Sequence, residues 1–435
     1  METAHRQRSM HLAVFAQGLG AAHSVWRSPR TAPDRLHTLR HWADIARIAE
    51  EGRLDAVFIA DALVLPDSIG ADVGERPDPV SVLSALSAVT SRIGLIGTSS
   101  TTYNDPFTVA RQFATLDHLS EGRAGWNIVT TAIAGASGNY GSAELPEHEA
   151  RYARGEEFVE VVLKLWDSWE PGAIVADRAA GVYADRDRIH EIGHRGGHFQ
   201  VRGPLTVPRP PQGRPLLAQA GSSATGLDLA ARFADMVFTT QYDPQAAQAL
   251  VRNVRALAEV KGRSPFDVKI LPGLTPVIGR TESEARELAD ELGSLISPEA
   301  TLAFMRQAFG GIDLGRYDLD EPFPDLRDEL PAHAGKSRPA LLIGTALEEK
   351  LTIRQMIERV GLSIGHRCLV GTPDQVADDM AHWFETHAAD GFNIIPADLP
   401  HGLRDFVEQV VPRLQDRGLF RKEYTGTTLR EHLSG

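Results

Sequence analysis

Cysteine is nearly absent from the sequence, with Cys368 alone among 435 residues. A single thiol excludes an intrachain disulfide framework and leads us to expect a cytoplasmic protein. No apolar run approaches the roughly 20 residues that a membrane-spanning helix needs, so no membrane partner is expected. The first residues, METAHRQRSMHLAVF, lack the long apolar segment and the small-residue cleavage site of a signal peptide.

Basic residues are also scarce relative to acidic ones. The chain has 45 Lys and Arg against 58 Asp and Glu, which gives a formal net charge of −13 without a long basic stripe. Because nucleic-acid binding needs a positive footprint, no nucleic-acid partner is expected. The hydrophobic share of 42% and the charged share of 24% are those of an ordinary globular protein.

Short apolar runs alternate with longer segments of helical period. Near-continuous apolar runs of this kind are typical of parallel strands that are buried on both faces. Eight strand–helix units predict an α/β protein with a (β/α)8 TIM barrel. A doubly wound open sheet is the alternative, and the lack of GxGxxG after the first run weakens it. The runs are His11–Gln17, Ala56–Ala60, Ile93–Ser100, Ala124–Thr130, Leu216–Gly221, Met236–Thr240, a strand within Val268–Gly279, and Phe392–Pro396.

Helix-start signals support this alternation. The first helix is expected over about Asp34–Glu51. Asp243 followed by Pro244 fits an N-cap with proline at the first helical position. Thr281 to Glu284 has the spacing of a capping box, and Thr372 to Gln375 heads another predicted helix.

Two stretches depart from the alternation, at about 131–215 after the fourth strand and about 295–371 after the seventh. We therefore expect one domain over residues 1–435, with insertions after strands 4 and 7. Active sites of such barrels are built at the C-terminal ends of the strands. Both insertions begin there, which makes them candidate lids or pocket walls.

The sequence matches a zinc-binding motif, but we do not expect it to form a zinc site. His190-Glu-Ile-Gly-His194 matches HExxH, which binds zinc when a helix places both histidines on one face. Gly193 lies inside the motif, and the third histidine of the extended pattern would fall at Gln200. We expect a polar loop or hairpin that leads to Phe199–Val201, and no metal site.

Two motifs are candidates for binding a phosphate. The segment Gly221–Gly226 places Ser222 and Ser223 between a strand and a helix, where small residues and free N–H groups suit an anion. Either serine could instead be only an N-cap. His148 and Tyr152 lie four residues apart at the start of a helix, so they face the same way. Alone, that pair fits either ligand contact or an exposed surface.

Other polar residues lie at or just beyond strand ends. Asn127 interrupts an apolar strand and needs a partner if it is buried, either a neighbouring strand or a ligand at the barrel mouth. Asp61, Ser100–Thr102 and Thr130 are placed likewise. His23 follows the first strand and can exchange a proton near neutral pH, although position alone does not make it catalytic.

Four long stretches carry a family resemblance. The sequence resembles the bacterial-luciferase-like superfamily from about Met10 to near Glu423. Within it, the chain is similar to the two-component, FMN-dependent monooxygenases that act on nitrilotriacetate, EDTA, dibenzothiophene sulfone, long alkanes and the pristinamycin precursor. The stretches are Gly94–Thr131, His148–Glu170, Gly203–Phe238 and Gly365–Pro396.

The resemblance implies an FMNH2-dependent monooxygenase that inserts one oxygen atom from O2 into a small organic substrate through a C4a-hydroperoxyflavin. It implies a separate NAD(P)H:flavin reductase that supplies the FMNH2, and a homodimer or homotetramer. It also implies catalytic roles for His23 and Asn127. The cofactor-binding residues that it implies are Asp61, Ser100, Thr101, Asn127, Thr130, His148, Tyr152, Ser222 and Ser223, with the register in Ser100–Thr102 uncertain by one residue.

Two other functions fit the same superfamily. A deazaflavin-dependent oxidoreductase uses a related barrel, and a non-catalytic flavin-binding protein would keep the site without turnover. The substrate, and whether carbon, nitrogen or sulfur is oxidised, stays open at the level of sequence.

Overall fold

A computed structural model describes residues 8–434 except 132, 142–143, 222 and 332–336. Its strands are β1 His11–Phe15, β2 Ala56–Ile59, β3 Gly94–Ser100, β4 Ala124–Val129, β5 Ile174–Asp177, β6 Val182–Ala184, β7 His194–Arg195, β8 Gln200–Val201, β9 Leu216–Ala220, β10 Met236–Thr239, β11 Lys269–Ile278, β12 Arg367–Gly371 and β13 Gly391–Ile394.

The helices are, in chain order, α1 Leu39–Glu51, α2 Pro79–Ser87, α3 Pro106–Leu119, α4 His148–Trp166, α5 Ala224–Phe233, α6 Pro244–Val260, α7 Glu282–Leu295, α8 Pro298–Ala308, α9 Ser337–Glu348, α10 Ile353–Ser363, α11 Pro373–Glu385, α12 His401–Asp405, α13 Val411–Asp416 and α14 Leu429–Leu433. A π-helical turn, Phe406–Val410, joins α12 to α13. Among the described residues, no helix is both long enough and apolar enough to cross a membrane.

Eight parallel strands close into a barrel in the order β1, β2, β3, β4, β9, β10, β11 and β13, and β13 pairs back to β1. Seven of these strands lie within the predicted apolar runs, and β13 begins at Gly391, one residue before its run. The (β/α)8 barrel predicted from the sequence is therefore confirmed, and the open-sheet alternative is wrong.

A ninth parallel strand, β12, was not predicted. Arg367–Gly371 pairs with Leu274–Ile278, the C-terminal half of β11. Most residues of β12 are only partly buried or exposed, unlike those of the barrel strands. A strand covered this incompletely lacks the continuous apolar run by which the others could be read.

Helix starts follow the cap residues, with two corrections. α1 begins after Thr38 and not near Asp34, because Pro33–Arg35 forms a separate 3-10 turn. Thr281 caps α7 by accepting from the Glu284 amide, but the Glu284 carboxylate accepts from the Arg280 amide, so the capping box is only half formed. The predicted Asp243 cap and the Thr372 helix start are confirmed.

The chain between β4 and β9 carries α4 and two small hairpins, β5–β6 and β7–β8. The chain between β11 and β12 carries α7 to α10. Helices α8, α9 and α10 share a hydrophobic cluster of their own that includes Met305, Phe309, Leu342, Ile353 and Met356. Buried apolar contacts of this kind fix the second segment as a packed unit.

Interior side chains of a (β/α)8 barrel come in layers of four from alternate strands. The strand registers place Phe58 of β2, Asn127 of β4, Phe238 of β10 and Asn393 of β13 in one such layer. Phe15 of β1 lies in the next layer toward the C-terminal ends. The level just below the mouth is thus largely aromatic, with two amides set into opposite walls.

The N-terminal end of the barrel is closed by α14. Leu429 joins the interior cluster and lies against Gly94, at the start of β3. At the same end Asp55 binds Arg421, His11 and the Leu12 amide. Burial alone would raise the pKa of Asp55, but Arg421 and His11 hold it at about 2. Helix α14 and the buried ion pair of Asp55 close the N-terminal end of the barrel, so an active site is expected at the opposite, C-terminal end.

Candidate active site

An aromatic floor lies beneath the C-terminal mouth of the barrel. The ring centroids of Phe15, Phe58 and Phe238 are 5.4–5.7 Å apart. The ring of His366 stacks on Phe238, with centroids 5.0 Å apart and an angle of 13° between the planes. The phenylalanine rings are tilted to one another by 40–62°, and together they form an apolar aromatic surface that suits a ring system placed above it.

Asn127 lies in the β4 wall at the level of this floor. Its Nδ2 donates to the Thr98 hydroxyl at 2.9 Å, and that hydroxyl donates to the Ile59 carbonyl. The Oδ1 atom of Asn127 is buried and accepts no hydrogen bond from the described residues. An unsatisfied buried acceptor is costly, so this atom is available for an N–H group of a bound molecule.

The structure separates the two hydroxyls that the sequence could not rank. Ser100 continues the inward-facing series of β3, and its Oγ accepts from Thr131 Oγ1 and from the Thr102 amide. Thr101 donates to the Val129 carbonyl and lies, with the Thr130 methyl group, against Gly155 of α4. Ser100 therefore faces the interior of the mouth, and Thr101 and Thr130 fix α4 to the barrel.

Two of the predicted phosphate ligands meet at the N-terminus of α5. A methyl group added at Gly226 would lie 3.0 Å from Ser223 Oγ and 3.1 Å from Tyr152 Oη. Ser223 is also the N-cap of α5, since its Oγ accepts from the Gly226 amide at 3.1 Å. The His148 ring lies beside that of Tyr152, with centroids 4.7 Å apart. Ser222 falls outside the described residues.

This convergence, called here the hydroxyl cradle and made of Tyr152, Ser223 and Gly226, joins two helices from distant parts of the chain. The N-terminal amides of α5 add the partial positive charge of a helix N-terminus. A phosphate placed there would find hydroxyl donors and backbone donors together. The two readings of Ser223 in the sequence, N-cap and anion ligand, are compatible in this geometry.

Asp61 follows β2 on another side of the mouth. Burial raises its pKa to about 6; the hydrogen bond from the Ala62 amide lowers it by less, and nearby Asp78 raises it slightly. The ring of Tyr140, whose pKa is also raised by burial and by Asp61, stacks on Tyr103 with centroids 4.7 Å apart. The folded protein thus keeps a carboxyl group at the mouth that is destabilised as an anion.

We expect Asp61→Asn to raise the free energy of unfolding at pH 8 by about 1–2 kcal/mol. The whole pKa shift corresponds to roughly 3 kcal/mol, and we reduce that value because Asp61 is partly exposed to solvent. Because the folded pKa lies above the ordinary 3.8, the stabilising contribution of protonated Asp61 is complete below that value and is lost as the pH rises through about 6. Urea unfolding at pH 8 and pH 4.5 should show the gain shrinking at the lower pH.

The matched control for that measurement is Asp243→Asn. Asp243 caps α6 by accepting from the Ala246 amide at 2.8 Å, so its replacement should not stabilise the protein at either pH. Equal unfolding free energies for wild type and Asp61→Asn at pH 8 would show that Asp61 is not strained in the folded state.

His23 is buried at the mouth after β1. Its Nδ1 lies 3.3 Å from Asp72 Oδ2 without the alignment of a hydrogen bond, and its ring meets Phe304 edge-on at 5.3 Å. Burial lowers the pKa of His23, with Asp72 raising it and Arg76 lowering it further. The imidazole is therefore neutral at neutral pH, and through Phe304 it adjoins the interior cluster that contains Phe15 and Phe58.

The HExxH segment is not helical. His190 lies in a loop beside Glu170, and His194 lies on β7 beside Glu157, at 2.6 and 3.0 Å. The hairpin expected there is confirmed by the pairing of β7 with β8. Within the described ranges no group of three or more His, Cys, Asp or Glu side chains is arranged to hold a metal ion.

Three charged or titratable residues of the mouth were missed by the sequence analysis. Arg151, next to Tyr152, is 2% exposed and donates to the Pro146 carbonyl. Arg338 of α9 and His366, just before β12, contact each other on the β10 side of the mouth. Arginines on predicted helices are by default solvent-exposed, so nothing in the local pattern indicated that these two turn inward.

A closed (β/α)8 barrel with polar side chains gathered at its C-terminal mouth defines a barrel enzyme rather than a structural protein. The luciferase-like monooxygenase family model matches residues 10–390, and the chain belongs to that family. The family and the enzyme class expected from the sequence, a monooxygenase, are thereby confirmed.

Individual relatives align over nearly the whole chain. N-acetyl-S-(2-succino)cysteine monooxygenase of Bacillus subtilis (strain 168) is 46% identical over 427 residues, covering 98% of this chain and 97% of the relative. Nitrilotriacetate monooxygenase component A of Aminobacter aminovorans is 44% identical, covering 98% and 96%. The crystal structure of a riboflavin lyase with modified FMN and riboflavin is 33% identical with a TM-score of 0.87, covering 98% and 96%.

Proposed function

We propose that this chain is the oxygenase component of a two-component system, an FMNH2-dependent monooxygenase that inserts one oxygen atom from O2 into a small organic substrate. A separate NAD(P)H:flavin reductase would supply the FMNH2. The relative named as component A of a monooxygenase and the similar structure that holds modified FMN support this proposal. The observation that carries it is the hydroxyl cradle beside a mouth that has an aromatic floor and an unpaired amide oxygen.

The residues of the mouth fit a reduced flavin. A tricyclic ring needs an apolar seat, which the phenylalanine floor supplies, and an acceptor for a ring N–H, which Asn127 Oδ1 supplies. A phosphate needs donors and positive potential. Tyr152, Ser223 and the α5 N-terminus supply the donors. Arg151 interacts electrostatically with Tyr152 and adds positive potential there.

Bound reduced flavin would supply the activation of O2 and the transfer of one oxygen atom. The side chains of this protein would bind the flavin, orient its ring and shield the site from water. Asn127 and Ser100 orient the ring, and Tyr152 and Ser223 hold the phosphate with His148 and Ser222. Asp61 completes the wall on the β2 side, and Thr101 and Thr130 support the site by holding α4 against the barrel. The packed unit of α8 to α10 keeps water from the mouth.

His23 is the proposed hydrogen-bonding group at the reacting atoms. A neutral imidazole can donate or accept a hydrogen bond without releasing a proton into the site, and burial keeps it neutral. The His23 amide donates to the Gly361 carbonyl of α10 at 2.7 Å, which fixes the β1 loop to the second segment. The side chain is therefore held in one place by elements from both ends of the chain.

Replacing His23 with Ala should lower the ratio of oxygenated product to released H2O2 by about 10-fold, which corresponds to the loss of one hydrogen bond of about 1.4 kcal/mol. Product by mass spectrometry and H2O2 by a peroxidase assay give the ratio. His432→Ala removes a buried histidine at the opposite end of the barrel and should leave it unchanged. An unaltered ratio in His23→Ala would remove His23 from the mechanism.

Anaerobic titration tests the proposed cofactor directly. FMNH2 should bind the protein, and a reduced deazaflavin should bind far more weakly; the reverse order would favour the deazaflavin-dependent oxidoreductase. Turnover with FMN, NADH, a generic flavin reductase and O2 should then add one oxygen atom to some member of a panel of sulfones, polyaminocarboxylates, alkanes and N-heterocycles. Tight FMNH2 binding without any product would indicate a non-catalytic flavin-binding protein. A homodimer or homotetramer stays a prediction.

A further inference from the structure

Arg338 and His366 form a contact at the β10 side of the mouth, next to β9, the strand that leads into the hydroxyl cradle. Arg338 Nη2 lies 2.9 Å from His366 Nε2. His366 rests on Phe238 of the floor and against Gly273, where an added methyl group would lie 2.4 Å from its Nδ1. The guanidinium thus reaches from α9 to the edge of the proposed flavin seat.

The chemistry of this contact fixes the protonation of His366. A guanidinium only donates hydrogen bonds, so His366 Nε2 must accept one from Arg338. The ring hydrogen of His366 is therefore on Nδ1, and Nδ1 lies 3.2 Å from the Thr240 hydroxyl oxygen. Burial and the charge of Arg338 hold the pKa of His366 well below its ordinary value. The imidazole is neutral and gives Arg338 no opposite charge.

No carboxylate of the described residues pairs with Arg338. The neighbouring segment 332–336 reads Ala-His-Ala-Gly-Lys and contains no acid. Tyr242, the other group near Arg338, is not an anion, because burial raises its pKa to about 12 and its hydroxyl donates to the Gly365 carbonyl. Nearby Arg359 is different, since Glu349 lies 2.6 Å from its Nη1.

Arg338 is therefore a largely buried cation that has no counter-ion among the residues that the structure describes. Burial lowers the pKa of Arg338, yet part of its surface stays accessible to a bound molecule. An arginine cannot escape the cost of burial by losing its proton. The stable arrangement is a bound anion, and the planar fork of a guanidinium matches a carboxylate.

We infer that Arg338, positioned by His366, binds a carboxylate of the substrate, so that this enzyme oxygenates anionic small molecules in preference to neutral ones. The inference rests on the proposed function and narrows its substrate class. The flavin phosphate is the other source of anionic oxygens. Its proposed ligands, Tyr152 and Ser223, lie at α5, whereas the described contact of Arg338 is with His366, and the FMNH2 affinity of an Arg338 variant separates the two sources. N-acetyl-S-(2-succino)cysteine and nitrilotriacetate, on which two relatives act, both carry carboxylates.

The test compares the acids nitrilotriacetate and N-acetyl-S-(2-succino)cysteine with their methyl esters. In Arg338→Met the KM for an acid that the wild type turns over should rise about 100-fold, because one partner of a buried charge pair is lost. The kcat and the Kd for FMNH2 should stay within a few-fold of the wild-type values. Arg338→Lys should recover part of the loss. Arg359→Met, which removes an ion-paired arginine of the same region, should keep the wild-type KM.

A second readout needs no cofactor. Nitrilotriacetate or N-acetyl-S-(2-succino)cysteine should raise the Tm of the wild type and not that of Arg338→Met, whose own Tm should be no lower because an uncompensated charge is gone. Equal KM values, equal acid-induced shifts in Tm, or turnover of neutral substrates alone would overturn the inference. Loss of FMNH2 affinity in Arg338→Met would overturn it by assigning the arginine to the phosphate. Absence of any oxygenated product, with the acid-induced shift still dependent on Arg338, would overturn the proposed function and support the anion site.

Discussion

Replacing Asn127 with Ala is expected to lower kcat/KM for oxygenation by about 10- to 100-fold, because a buried N–H of the bound ring would lose its acceptor at a cost of about 1–3 kcal/mol. The expectation follows from the buried, unpaired Oδ1 of Asn127 at the level of the floor. Steady-state turnover with saturating FMNH2 measures it. Stability should fall by only about 1 kcal/mol, since Nδ2 makes one hydrogen bond, to Thr98.

The matched control is Gln212→Ala. The side-chain amide of Gln212 donates to Asp117 and to the Ala124 carbonyl at the start of β4, at the end of the barrel opposite the mouth. Its replacement should cost stability and leave kcat/KM within about three-fold of the wild-type value, a change of under 1 kcal/mol. Equal losses in the two variants would mean that the barrel core, and not the ring acceptor, determines the rate.

The second large effect is expected in the hydroxyl cradle. The double variant Tyr152→Phe/Ser223→Ala should raise the Kd for FMNH2 by at least about 100-fold, since each hydrogen bond to a charged group contributes about 1.5–3 kcal/mol. Reduced riboflavin, which has the same ring without the phosphate, should bind the variant and the wild type equally. Anaerobic fluorescence titration of both ligands separates the two contributions.

Ser223 is also an N-cap, so the double variant needs a control for helix stability. Thr281→Ala removes the N-cap hydroxyl of α7 and should cost about 1 kcal/mol of stability with no change in FMNH2 affinity. If riboflavin affinity falls as far as FMNH2 affinity in the double variant, the cradle holds the ring or the fold and does not hold the phosphate.

The barrel was predictable because its strands are buried on both faces. His11–Phe15 and Gly94–Ser100 are buried at every position, so each reads as an unbroken apolar or small-residue run. β12 escaped for the same physical reason, since Arg367–Gly371 is mostly partly exposed. The early start expected for α1 failed because helical periodicity does not reveal a separate 3-10 turn at Pro33–Arg35.

The site divides in the same way. Asn127, Tyr152 and Ser223 could be proposed from the sequence, because polar residues at strand ends and helix starts point to a mouth and a resemblance assigned them roles. Arg338 and His366 could not, since their importance lies in a contact and in a missing counter-ion. The contact and the missing counter-ion become visible only when the structure places Arg338 of α9 beside His366. The absence of Asp and Glu from the segment just before Arg338 is the one sequence signal that could have drawn attention to it.

The central claim is that this mouth binds FMNH2 and directs one atom of O2 into a substrate. Turnover under 18O2, with FMN, NADH and a generic flavin reductase, tests that claim most directly when the product is weighed by mass spectrometry. Each product molecule should carry one 18O atom, and no product should form when FMN is omitted. Product that carries oxygen from water, or that forms equally well without FMN, would contradict it.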